Sequence, residues 1–179
     1  MPVHALEYFS DTEVEDFIFQ QTLTEKNSSS YYPLRLRIPK LNVNAKINYV
    51  GITRAGNMAS PSNITDVGWY KYGTVPGNKG SAVIAGHVDN RKNIPGVFNR
   101  LEDLRKGDEI YVETTNDSKP IRFVVTDREI YDFDAKVEKI FNQNDASILR
   151  LITCTGVWVP EYGTRDKRLV VTAERVDSI

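Results

Sequence analysis

An all-β domain, folded into a closed or nearly closed barrel, is what this chain predicts. Short runs rich in β-branched and aromatic residues, turn-forming residues between them and little sustained helical periodicity carry that expectation. With 179 residues, 40% of them hydrophobic and 10% aromatic, the chain can fill one sizeable core but not two.

The amino-terminal stretch differs from the rest. Ser10 and Glu13 have the spacing of a capping box, and Val14, Phe17 and Ile18 follow at helical spacing, which predicts a short amphipathic helix to about Glu25. Asn27 to Ser30 reads as a flexible linker. The expected division is therefore a helix and linker over 1–30 and a barrel domain over 31–179. Strands are expected over Leu34–Ile38, Val43–Val50, Ser81–Ala85, Glu109–Thr114, Ile121–Ile130, Leu149–Cys154 and Leu169–Glu174. Ile121, Phe123 and Val125 alternate with Arg122, Val124 and Thr126, as a strand with one better-buried face should. Tyr131 to Ile148 breaks the pattern: Val137, Ile140 and Phe141 are spaced like one face of a short helix, and Asp145 to Ser147 could begin another turn.

Lys and Arg number 23 against 24 Asp and Glu, a formal net charge of -1, so no global field recruits nucleic acid or an anionic membrane. A single cysteine forms no internal disulfide, and its count is silent on compartment. No apolar run approaches the ~20 residues that span a bilayer, and the first residues, Met1 to Glu7, are not a signal peptide. Asp, Glu and His do not cluster at metal-ligand spacing, so no metal or cofactor is expected.

The chemistry concentrates where two of the expected strands end. Leu151-Ile152-Thr153-Cys154-Thr155-Gly156 puts the only cysteine at the end of an apolar strand, and Ser81-Ala82-Val83-Ile84-Ala85-Gly86-His87 does the same for one of the two histidines. A thiol must lose its proton to attack a carbonyl, and imidazole suits that exchange near neutral pH. Arg165 and Arg168 follow as candidate anion stabilisers. Each residue alone reads more readily as structural; the joint pattern at strand ends points to a cysteine acyl-transfer site. Strand parity places Ile152 and Cys154 on one face and Leu151 and Thr153 on the other, with Arg168 sharing a face with Val170 and Thr172.

Ala85-Gly86-His87-Val88-Asp89, Leu151-Ile152-Thr153-Cys154 and Arg168-Leu169-Val170-Val171 resemble the histidine, cysteine and arginine motifs of sortases. The resemblance extends in order through Leu36-Arg37-Ile38-Pro39-Lys40-Leu41, Val67-Gly68-Trp69-Tyr70, Val97 to Leu101 and Leu104 to Asp108, covering about Pro33 to Val176. The wording is closest to class F sortases. It implies a sortase-type barrel of about eight strands with short helices in its connections, and a transpeptidase in which His87, Cys154 and Arg168 are catalytic. Arg165 is the alternate, because Arg165-Asp166-Lys167 resembles the arginine-aspartate pair of class F enzymes. The implied substrate is a Leu-Pro-x-Thr-Gly-like sorting signal of secreted proteins in a Gram-positive cell wall, and the implied acceptor is an amine of peptidoglycan or a pilin. Ala85, Ile152 and Thr153 match positions lining the family's peptide groove, and Val137, Ile140 and Trp158 are candidates for its walls. The resemblance further implies a soluble ectodomain at the outer face of the cell membrane, with the anchoring segment absent.

Three other functions use parts of the same pattern. A papain-like peptidase places its cysteine at a helix start, and an L,D-transpeptidase has Gly immediately before Cys, where this chain has Thr153. A non-catalytic surface β-barrel needs none of the three groups.

Overall fold

The computed structural model describes residues 32–115, 118–142 and 146–176. The helix and linker expected within 1–30, and Asp145, lie outside the described residues. Among the described residues eight strands form: β1 (Pro33–Ile38), β2 (Val43–Val50), β3 (Val67–Tyr70), β4 (Gly80–Gly86), β5 (Glu109–Thr114), β6 (Ile121–Asp132), β7 (Ser147–Val159) and β8 (Thr164–Arg175). They close into a barrel in the order β1-β2-β3-β4-β7-β8-β6-β5, with β5 returning to pair with β1.

The all-β expectation holds, and the differences in its elements have physical causes. β3 shows no period-two pattern because all four of its residues are buried, Val67 and Trp69 in the barrel and Tyr70 outside it. Cys154 does not end its strand: β7 continues to Val159, and β8 begins at Thr164 rather than near Leu169. That extra hairpin buries no apolar stripe, its β7 arm being exposed over 156–158 and its β8 arm half-buried over 164–168, so hydrophobic patterning could not announce it. Where a helix was expected around Val137, Ile140 and Phe141, one 3-10 turn spans Glu138–Ile140. Two further 3-10 turns lie at Pro39–Leu41 and Leu101–Asp103.

Inside the barrel, alternate residues meet: Leu36 and Ile38, Ile110 and Val112, Phe123 and Val125, Leu149 and Leu151, Leu169 and Val171. Each such side chain, fully buried, contributes on the order of 1.5–3 kcal/mol. A smaller cluster lies on the outer wall, where Val83, Ile152 and Val170 pack against Tyr70 and Ile140 under the β6–β7 connection. Polar side chains latch that connection down. Ser81 donates to the Ile140 carbonyl, and the buried Arg150 donates to Ser81 Oγ at 3.0 Å and to the Lys139 carbonyl. The 3-10 turn's carbonyls thus find donors on the wall below.

β4 and β7 pair in parallel, with Ala85 opposite Ile152. Both strands therefore run toward the same end of the barrel, and two residues further along, His87 and Cys154 come level. β7 and β8 are antiparallel, with Cys154 directly opposite Arg168.

Candidate active site

Cys154 lies on the outward face of β7, half-buried and with a free thiol. Its neighbour Thr153 points the other way, is buried, and donates from its hydroxyl to the Gly86 carbonyl at 2.8 Å. This bond extends the β4–β7 pairing by one step and ties the cysteine strand to the residue before His87. Past Cys154 the β7–β8 register shifts between Thr155 and Trp158. Gly156 there has φ +80, a left-handed backbone that suits glycine.

His87 Nε2 sits 2.8 Å from the Pro61 carbonyl oxygen. A carbonyl can only accept, so Nε2 carries a hydrogen and Nδ1 is the ring atom left to gain or lose a proton. The His87 carbonyl accepts from the Phe98 N–H at 2.9 Å, and the Gly96 N–H donates to the Val88 carbonyl at 2.8 Å. The segment after β4 is thereby strapped to the loop that precedes Phe98. Asp89, two residues on, pairs with Arg165 Nη2 at 2.5 Å.

The two arginines occupy different sides of the cysteine. One hollow, of about 70 Å³, is lined by Ala85, His87, Ile152, Thr153, Cys154 and Arg168, with Met58, Ser60 and Phe141 on its far wall. A second, of about 190 Å³, is lined by Thr153, Cys154, Gly156 and Arg165 together with Phe98, Asn99 and Glu102. Arg168 thus shares a hollow with both His87 and Cys154, and Arg165 does not. Arg165 instead ties Asp89 to the Gly156 carbonyl, 2.7 Å from its Nη1, bridging the segment after β4 and the β7–β8 hairpin.

Of the wall candidates, Ala85, Ile152 and Thr153 line a hollow, whereas Val137, Ile140 and Trp158 line neither. Ile140 is buried beneath Phe141 in the outer cluster, with Val137 packed at its margin. Trp158 is 46% exposed on the distal hairpin, opposite Arg165. Met58, Ser60 and Pro61 were missed by sequence reasoning, because they lie in the β2–β3 connection and carry no chemistry-bearing pattern. Phe141 was legible as an apolar residue of the β6–β7 connection, but its turn toward the cysteine was not. Among the described residues, no group of three or more His, Cys, Asp or Glu side chains could hold a metal ion, and no helix is long and apolar enough to cross a membrane.

A cysteine within one strand and a histidine just past the end of its parallel neighbour, with an arginine across the next ladder, is an arrangement whose family can be tested over the whole barrel. Residues 36–176 match the sortase domain. The chain belongs to the sortase family. Among solved structures, this sortase resembles sortase C-1 from Actinomyces oris, with 24% identity, TM-score 0.61, and coverage of 91% of this chain and 83% of that one. It also resembles the Sortase D5 transpeptidase of Clostridium perfringens, at 22% identity and TM-score 0.61 over 95% of this chain and 91% of that chain. A mutant of sortase C-1 from S. pneumoniae gives 18% identity and TM-score 0.63, with 81% of this chain and 66% of that chain covered. At these identities the likeness is one of fold. No curated protein sequence matches this sortase.

Proposed function

We propose that this sortase is a cysteine transpeptidase that cleaves a sorting-signal peptide and joins it to an amine. The observation that carries the reading is that His87, Cys154 and Arg168 line one hollow. The Cys154 thiolate attacks the scissile carbonyl carbon, and Arg168 stabilises the oxyanion or orients the peptide through charge-assisted hydrogen bonds. As the tetrahedral intermediate collapses, the C–N bond breaks and His87 gives its Nδ1 proton to the leaving amine, which leaves a thioacyl enzyme. An incoming amine then loses a proton to the neutral imidazole and attacks the thioester, so an amide forms and the thiolate departs. Water is the slower competitor.

The substrate in this reading is a Leu-Pro-x-Thr-Gly-like signal held extended beside Ala85 and Ile152, against the wall made by Phe141. The acceptor is an amine of peptidoglycan or a pilin, for which the second hollow offers a separate approach to Cys154. The wording of the motifs supports class F, and the family supports action at the outer face of the cell membrane. Products are read by mass spectrometry after incubation with a panel of sorting peptides and an amine. Amide product, favoured over acid as amine is added, supports the reading; purely hydrolytic product at undiminished rate overturns it in favour of a cysteine peptidase.

A further inference from the structure

Arg168 is held in a cradle that the catalytic reading does not require but would benefit from. Its Nη1 donates to the carbonyls of Arg165 at 2.8 Å and Lys167 at 2.9 Å, and its Nη2 donates to the Thr164 hydroxyl at 2.8 Å. The guanidinium carbon lies 5.9 Å from the centre of the Phe133 ring. Phe133 is itself fixed: its N–H donates to the Asp166 carbonyl at 2.9 Å, and its ring packs on Tyr162 with centroids 5.1 Å apart. A guanidinium has five N–H donors. Three are engaged among the described residues, which leaves two for an oxygen arriving at the Cys154 hollow.

The two carbonyls come from the backbone of β8 and would be present whatever the side chains. The hydroxyl and the ring are choices of sequence, made on two different elements. An unrestrained arginine carries rotamer entropy that it must surrender on meeting a substrate oxygen. A side chain already clamped on one edge and held over an aromatic ring has lost most of that freedom before the peptide arrives.

We infer that Thr164 and Phe133 are positioning residues, which act on turnover only through Arg168 by holding its guanidinium toward Cys154. The inference rests on the proposed role of Arg168, and the experiment separates the two. Single-turnover formation of the thioacyl enzyme is followed by mass spectrometry in the parent and in Thr164→Val, Thr164→Ser, Phe133→Leu and Arg168→Ala, with Thr164→Val also made in the Arg168→Ala background. Thr164→Val, which keeps the shape and deletes the hydroxyl, lowers the acylation rate about tenfold, the loss of roughly one hydrogen bond. Thr164→Ser restores it, and Phe133→Leu lowers it by about two- to fivefold, the scale of an exposed cation–π contact. In the Arg168→Ala background, Thr164→Val has no further effect, since its target is gone. An equal loss in both backgrounds, or parent-like acylation by Thr164→Val, overturns the inference. Parent-like acylation by Arg168→Ala overturns the catalytic reading of that arginine, and the inference with it.

Discussion

Replacing Gly96 with alanine tests how finely the position of His87 is held. A Cβ at residue 96 would lie 2.7 Å from the His87 carbonyl carbon, 3.1 Å from its Cβ, and closer still to its carbonyl oxygen. Carbon atoms in contact settle near 3.5–4.0 Å, so one partner must retreat by about 1 Å. The near groups are backbone, which cannot rotate aside as a flexible side chain would. The backbone of 87 and 88 is moreover tied to that of 96 and 98 through the Val88 and His87 carbonyls. The strain therefore moves the histidine segment as a unit, away from Cys154 or out of reach of the Pro61 carbonyl. A misplacement of about 1 Å in a catalytic group costs on the order of 100-fold, and the overpacking itself costs about 1–3 kcal/mol. Gly96→Ala should thus lower kcat/KM on a sorting peptide by about 100-fold, with a lowered Tm but a cooperative transition. Cys154 should remain accessible, with complete alkylation by excess small reagent as in the parent, because the thiol has not moved. Parent-like turnover in folded Gly96→Ala would refute the reasoning, since it would show that the position of His87 does not limit the rate.

Cys154→Ala should abolish turnover and leave Tm nearly unchanged; peptide cleavage by that variant, followed by mass spectrometry, would remove the basis of the thioacyl mechanism. Arg168→Ala should lower the rate by at least ~100-fold, the scale of losing one oxyanion donor, while Arg165→Ala does far less; steady-state kinetics with the reverse order would move the catalytic role to the second hollow. Asp66 accepts from the amides of Asn63 at 2.9 Å and Asn48 at 3.0 Å, and those bonds hold its carboxyl below the usual carboxylate range. A depressed pKa contributes stability above the unfolded value and loses it as pH falls through the folded one. Thermal unfolding across pH should therefore show Asp66→Asn less stable than the parent near neutrality, with the gap closing below about pH 4.

The strand content was written in local pattern, and so were the residues most able to do chemistry. Ile121, Phe123 and Val125 alternate because one face of β6 is packed, and the spacing alone turns them to the core. Cys154 and His87 stood out as rare reactive side chains next to apolar strands, and parity alone put Cys154 on the face of Ile152. What bracketed the chemistry was decided elsewhere. The parallel pairing of β4 with β7 joins segments more than sixty residues apart, and no local preference encodes which strand will be a neighbour. That pairing brings His87 level with Cys154, and the β7–β8 register places Arg168 rather than Arg165 across from it. β3 escaped notice because burial on both faces erases alternation, and the hairpin beyond Cys154 because neither of its faces is fully buried. Phe141 acquires its place in the hollow, and Phe133 and Pro61 theirs against Arg168 and His87, only when their connections fold back over the barrel. A sequence records what a residue can do and which face of its own element it occupies; its partners across the barrel are set by closure of the sheet, a property of the whole chain.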